Sequence, residues 1–190
     1  NYLKACDIAP GNCLIDEWVR KKSKKKYDIG GTLASIGKTD ELILNQALEN
    51  FNIGPPYEDS LDIKDFDISF AKGLSLENGT STLADFTSSQ ISKALNYFKD
   101  PEKNTIFIVC GGGRKNKYLM NSISKSIEII KDLKKINFYP IEKHGIDGDF
   151  IESQAFGYLA IRSFLNLPIS FTSTTRCKNP VTGGVMVKNF

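Results

Sequence analysis

Asp7 and the glycines Gly111, Gly112 and Gly113 are the residues of this 190-residue chain whose type and setting best suit chemistry. Asp7 opens the stretch Asp7-Ile8-Ala9-Pro10-Gly11-Asn12, in which Pro10 and Gly11 mark a turn and Asn12 can cap a following helix. A carboxylate there can take a proton from water, or it can stabilise its own turn through an Asx-type hydrogen bond. The residues alone leave both readings open. The second stretch runs from Thr105 to Asn116. Its apolar residues Ile106 to Cys110 predict a strand buried on both faces, of the kind found in parallel or mixed sheets. The three glycines then remove the Cβ atoms that would hold a ligand away from the backbone. Asn116 is placed to cap a helix carrying Leu119, Met120, Ile123 and Ile127 on one face. Strand, bare turn and helix N-terminus together offer backbone N–H groups to an anion or a flat nucleoside. The same triglycine also serves as a plain strand-to-helix connection. A dinucleotide-type G-x-G-x-x-G pattern is not completed, because position 116 is Asn.

A third group lies near the C-terminus, where Gly145-Ile146-Asp147-Gly148-Asp149 precedes Glu152. Asp149 and Glu152 have the spacing of a helix cap and its reciprocal partner, and Asp147 before Gly148 is an ordinary turn residue. The lone histidine, His144, has no evident catalytic partner and reads as a surface loop residue.

The elements that must position these groups follow from periodicity. Tyr2 to Cys6 reads as a short extended segment that Asp7 terminates, in the place where open α/β folds gather ligands. Leu14, Ile15, Trp18 and Val19 form one side of a helix. A second helix is expected from Thr39 or Asp40 to about Glu49, with Thr39 as its cap. Phe51 to Asp67, with Pro55-Pro56, reads as a surface connection. Thr82-Leu83-Ala84-Asp85 resembles a capping-box start to a helix continuing through Phe86, Ile91, Ala94, Leu95 and Phe98. Asn137 to Pro140 is expected to be a short strand. The helix opened by Asp149 should bury Ile151, Ala155, Tyr158, Leu159 and Ile161. The fold class is α/β, a mixed sheet with flanking helices.

Composition excludes several classes of function. A hydrophobic fraction of 41% with 25% charged residues is ordinary for a globular chain, and a net charge of +3 is too small to imply nucleic acid. Six of the seven residues from Arg20 to Lys26 are basic, which reads as a solvated helix end. Cys6, Cys13, Cys110 and Cys177 are scattered without a C-x-x-C pair, so no zinc site is expected and the thiols fit a reducing, cytoplasmic setting. No apolar run approaches the ~20 residues of a membrane span.

Four motifs together resemble the anhydro-N-acetylmuramic acid kinases, sugar kinases of bacterial cell-wall recycling. The family's DTGPGN-like loop is similar to Asp7 through Asn12, followed by Leu14-Ile15-Asp16 and Trp18. Its Tyr-Asp-glycine stretch resembles Tyr27-Asp28-Ile29-Gly30-Gly31-Thr32-Leu33-Ala34-Ser35-Ile36-Gly37. Its CGGGxxN turn resembles Cys110 to Asn116. Its closing segment is similar to Gly145 through Phe156, then Leu167-Pro168 and Thr182-Gly183-Gly184. The motifs keep the family's order over almost the whole chain.

The resemblance implies a ribonuclease H-like lobe of the actin/hexokinase-like kinase fold. This chain would be the C-terminal lobe, without the family's glycine-, serine- and threonine-rich phosphate loop. It implies ATP and Mg²⁺, an amino-sugar substrate, and an N-terminal lobe on a separate chain; alone, the chain would be inactive, and its bared partner face predicts dimerisation or aggregation. Asp7 would be the base that activates water against the anomeric carbon of the 1,6-anhydro sugar, whose freed O6 then takes the γ-phosphoryl group. Pro10, Gly11, Asn12, Gly111, Gly112, Gly113 and Asn116 would contact the nucleotide and its phosphates. Glu152 and Asp147 would bind the sugar; for Glu152 the cap with Asp149 is an equal reading. No metal-ligating residue is implied. Two departures stand out: the family's Thr-Gly after the aspartate is Ile8-Ala9 here, and its glycine after the paired threonines is Arg176. They leave room for a non-catalytic remnant that binds adenine nucleotide weakly or serves a partner.

Overall fold

The computed structural model describes residues 4–51, 60–98, 104–128 and 136–187. Residues 4–6 form no strand, so Asp7 ends an irregular segment rather than a sheet element. Gly11 takes a left-handed φ of 58° and turns the chain into α1 (Cys13–Lys22). All four apolar positions expected of this helix are buried, and Arg20, Lys21 and Lys22 fall in its last turn, where cations complement the helix dipole. Asn12 lies at the N-cap position but makes no side-chain cap hydrogen bond. Its αR backbone directs the amide elsewhere, which corrects the expected cap.

Asp28 is buried and accepts the N–H groups of Leu33 (2.8 Å) and Ala34 (3.1 Å), starting α2 (Thr32–Ile36). Helix α3 (Glu41–Asn50) is capped by Asp40, whose carboxylate accepts from Ile43 N–H at 3.0 Å. Thr39, expected as that cap, instead donates to Asp85 at 2.5 Å. Helix α4 (Leu76–Phe98) begins at Leu76 rather than at Thr82, with Ser75 Oγ accepting from Asn78 N–H at 3.1 Å. Its early turns are rich in Thr and Ser, poor helix formers that look like loop. Here Thr80, Thr82 and Thr87 bond back to the carbonyls of Leu76, Asn78 and Leu83, so their hydroxyls are satisfied inside the helix.

Helices α1, α2 and α3 pack against α4, as does α5 (Lys117–Glu128). Trp18 is 1% exposed, and its indole N–H donates to Leu76 O at 3.0 Å. Gly79 allows that contact, because a Cβ at this position would overlap the indole ring.

Strands β1 (Thr105–Val109) and β2 (Ile136–Pro140) are parallel, Thr105 opposite Ile136 and Val109 opposite Pro140, with α5 between them in sequence. The chain is thus α/β, a small parallel sheet with flanking helices. Strand β1 is not buried on both faces. Thr105, Phe107 and Val109 are half-buried while Ile106 and Ile108 are 58% and 50% exposed. Nothing among the described residues covers that second face.

The same holds for α6 (Ile151–Phe164). Its apolar residues, expected in the core, are half-exposed or exposed, including Phe156, Tyr158, Ile161 and Phe164. Phe150 is its N-cap without a side-chain hydrogen bond, so the expected Asp149–Glu152 cap does not form. Ser170 and Val181 form one isolated antiparallel bridge, and the hydroxyl-bearing residues Thr172–Thr175 form a short helix, α7. The expectations for Tyr2 and for Pro55-Pro56 lie outside the described residues.

Candidate functional site

Asp7 opens onto a cavity of about 560 Å³ that it lines with Ala5, Cys6, Ser60, Thr174, Thr175 and Arg176. Its backbone N–H donates to Ser60 Oγ at 2.8 Å, and the Ser60 hydroxyl donates back to Asp7 Oδ2 at 2.6 Å. The carbonyl of Asp7 accepts from Leu61 N–H at 3.1 Å. One carboxylate oxygen is therefore held and oriented while the side chain stays exposed, an arrangement open to an incoming proton donor. Ser60 was not legible in the sequence. It sits within an acidic connection, and only the fold brings it to Asp7. Ala9 has no positive φ, so its replacement of a family glycine imposes no left-handed strain.

The other end of the same loop reaches the triglycine turn. Asn12 Nδ2 lies 3.8 Å from the point a Cβ of Gly113 would occupy. Asn12 Oδ1 is buried and, among the described residues, has no hydrogen-bond partner. Such an atom is expensive to leave unmet and calls for a hydroxyl or amino donor. Gly111 has φ 78° and ψ 177°, a region open essentially to glycine alone. Gly112 and Gly113 have no positive φ, and among the described residues a Cβ would meet nothing within 4 Å at Gly112 and only Asn12 at Gly113. Asn116 is 4% exposed, and its Oδ1 accepts from Leu119 N–H at 3.1 Å, capping α5. Gly31 makes room for it, since a Cβ there would lie 2.7 Å from the Tyr118 backbone nitrogen and overlap the Asn116 amide. The glycines are not among the residues lining the Asp7 cavity; the loop Asp7–Asn12 is what joins the two places.

A charged clamp ties the triglycine turn to the loop before α6. Arg114, with 8% of its side chain exposed, pairs with Glu142 at 2.7 Å and Asp149 at 2.8 Å, and stands 4.0 Å from Asp147. It also donates to Gly111 O at 2.9 Å, and Lys115 pairs with Asp149 at 2.5 Å. The hydrogen bonds from Lys115 and Arg114 hold the Asp149 carboxyl below the usual range, and that from Arg114 does the same for Glu142. Gly148 leaves space for the guanidinium, because a Cβ would lie 2.5 Å from Arg114 Nε. Asp147 accepts from Asp149 N–H at 2.9 Å, and Glu152 is exposed in the first turn of α6. Neither lines the Asp7 cavity.

Behind the turn, Asp85 on α4 accepts from Tyr118 at 3.1 Å and Ser122 at 2.6 Å on α5, besides Thr39. Burial pushes the Tyr118 hydroxyl above its usual range, so it stays a donor. Among the described residues no group of three or more His, Cys, Asp or Glu could hold a metal ion. No described helix is long and apolar enough to cross a membrane.

Comparison with known proteins accounts for these motifs together. A family model described as "Anhydro-N-acetylmuramic acid kinase" matches residues 2–189. Three relatives bearing that same name match nearly the whole chain. The Pelagibacter ubique protein is 52% identical over 193 residues, covering 99% of this chain and 50% of the relative. The Zymomonas mobilis protein is 38% identical, covering 97% and 48%, and the Rhodospirillum rubrum protein 36% identical, covering 95% and 46%. The chain spans about half the length of the curated relatives it matches. By this match over residues 2–189, the chain belongs to the anhydro-N-acetylmuramic acid kinase family.

Proposed function

We propose that this chain is the C-terminal lobe of an ATP-dependent kinase that hydrolytically opens 1,6-anhydro-N-acetylmuramic acid and phosphorylates its O6. That chemistry would serve cell-wall recycling in the cytoplasm, and the half of the relatives outside the match would supply the phosphate-loop lobe. One observation carries the nucleotide side. Among the described residues Gly112 and Gly113 meet neither a strained backbone nor a crowding neighbour, which supports a ligand lying against the turn. The unmet Asn12 Oδ1 beside Gly113 agrees.

Asp7, oriented by Ser60, would take the proton from the water that attacks the anomeric carbon. The C1–O6 bond breaks as the new C1–O bond forms, and the released O6 accepts the γ-phosphoryl of ATP. General-base catalysis of this kind contributes about 10²- to 10⁴-fold. Pro10 and Gly11 shape the loop, Asn12 and Gly111 to Gly113 receive the nucleoside, and Asn116 holds the turn on α5. Glu152 and Asp147 would reach the sugar only if it extends past the clamp. The exposed faces of β1 and α6 are where the other half of the enzyme would dock, and without it they favour self-association.

The test is to add the non-matching half of the Pelagibacter relative and measure ATP-dependent phosphorylation of the anhydro sugar. Turnover is expected with the native chain. Asp7→Asn should lower it at least 10²-fold while ADP binding by calorimetry changes little. Nucleotide binding without turnover in the native pair would instead mark the chain as a non-catalytic remnant.

A further inference from the structure

The segment that carries Asp7 has no regular structure of its own to fix it. Residues 4–10 form neither strand nor helix, and the hydrogen bonds of Asp7 among the described residues all run to Ser60, 53 residues away, and its neighbour Leu61. That distant stretch belongs to the connection between α3 and α4, which the sequence presents as acidic surface. From Ser60 onward it is built to stay in place. Leu61 packs against the buried core. Asp62 then opens a short 3-10 helix (Ile63–Asp65) with a reciprocal cap, in which Asp62 Oδ1 accepts from Lys64 N–H at 3.0 Å and Asp65 Oδ2 accepts from Asp62 N–H at 2.7 Å. An apolar anchor and a capped turn thus stand directly behind the serine.

The Ser60 hydroxyl is also directional. Its oxygen accepts Asp7 N–H at 2.8 Å, and because an ionised carboxylate only accepts, its proton is committed to Asp7 Oδ2 at 2.6 Å. Backbone and side chain of the same residue are therefore held by one hydroxyl. Asp7 Oδ1 is left without a hydrogen-bond partner among the described residues, on a side chain that lines the cavity together with Ser60. A carboxylate free to rotate would present either oxygen over a wide arc. With Oδ2 tied, Oδ1 faces one direction, and a base acts only on a proton it is aimed at.

We propose that Asp7 takes its proton through Oδ1 alone, and that Ser60 is the positioning residue that reserves Oδ2, so that the α3–α4 connection sets the aim of the base. This rests on the sugar-kinase reading above, in which Asp7 activates water. Ser60 itself touches neither water nor sugar in this role. Its removal leaves the carboxylate in the cavity but lets it turn, which weakens the transition state and not the binding of either substrate.

The experiment uses the chain with the complementing half. Steady-state kcat and KM for ATP and the anhydro sugar are measured on the native pair, Ser60→Ala, Ser60→Thr and Asp7→Asn, with thermal melting and ADP calorimetry alongside. Ser60→Ala should lower kcat about tenfold to a hundredfold, with sugar KM, ADP affinity and melting temperature close to native. Ser60→Thr keeps the hydroxyl, and Ser60 is exposed, so the added methyl group has room and most of that loss should be recovered. A Ser60→Ala enzyme with native kcat, or a loss that threonine does not repair, overturns the assignment and leaves the kinase reading standing. So does a fall in kcat matched by equal falls in ADP affinity and melting temperature, which a merely structural serine would give. No turnover by the native pair, or an Asp7→Asn variant as active as the native pair, sinks the base and the kinase reading with it.

Discussion

The glycines of the helical body and those of the turn after β1 owe their identity to opposite causes. At Gly31, Gly37 and Gly79 a Cβ would run into neighbouring chain: the Asn116–Tyr118 corner, the Glu77 carbonyl and the Trp18 indole. At Gly112 a Cβ would meet open space. The first group is explained by how the chain packs on itself; nothing among the described residues explains the second, and the proposed nucleotide would. The difference teaches that a packed neighbour and a bound ligand can demand the same residue, and that geometry separates them where composition cannot.

Substitutions sharpen that contrast, and the largest effect should fall in the body. Gly79→Ala gains about 1 kcal/mol of helix propensity, yet it forces a methyl group into a buried tryptophan. Overpacking of this severity costs about 3 kcal/mol or more. A net loss of roughly 2 kcal/mol is expected in urea unfolding, with nucleotide binding unchanged in the fraction that stays folded. An unchanged midpoint would break the comparison.

Gly112→Ala should show the reverse, an ADP affinity lowered about tenfold, or ~1.4 kcal/mol, with no loss of melting temperature. Gly111→Ala is the internal control. Its φ of 78° and ψ of 177° penalise any Cβ, so this variant should lose stability as well, by roughly 1 to 3 kcal/mol. If Gly112→Ala binds ADP like the native chain, its glycine has no ligand to explain it.

The smallest effect is the pH response of the clamp. Asp149 and Glu142 are held below their ordinary ranges by Lys115 and Arg114. The clamp's contribution is whole above the unfolded-chain carboxylate range near ~4 and disappears as pH falls through the lower folded-state values. Between neutral pH and about 5, stability should therefore be flat in this respect. Asp149→Asn should flatten part of the acid limb of the melting profile, and an unchanged limb would show that the clamp adds nothing measurable.

Helices α1, α3 and α5 were legible because their apolar positions meet partners within this chain, as Leu14, Ile15, Trp18 and Val19 do on α4. Periodicity misjudged burial in β1 and α6 for one physical reason. It reports which face a segment is built to cover, and Ile108 and Phe156 have no cover among the described residues. The start of α4 was hidden because its threonines resemble a loop until their hydroxyls are seen bonded within the helix. At the site, Asp7, Asn12 and the glycines were readable as types. Ser60 as the orienting hydroxyl and Arg114 as the centre of a clamp depend on contacts between residues distant in sequence.

Arg114 lying flat on Gly148 has a mechanical consequence. One guanidinium rivets the glycine bend to the segment that launches α6, so these two walls travel as a single rigid piece. Among the described residues the Asp7 strip is fastened separately, by Ser60, by Leu61 and by Lys4 over the Tyr97 and Phe98 rings, so it can shift without breaking that rivet.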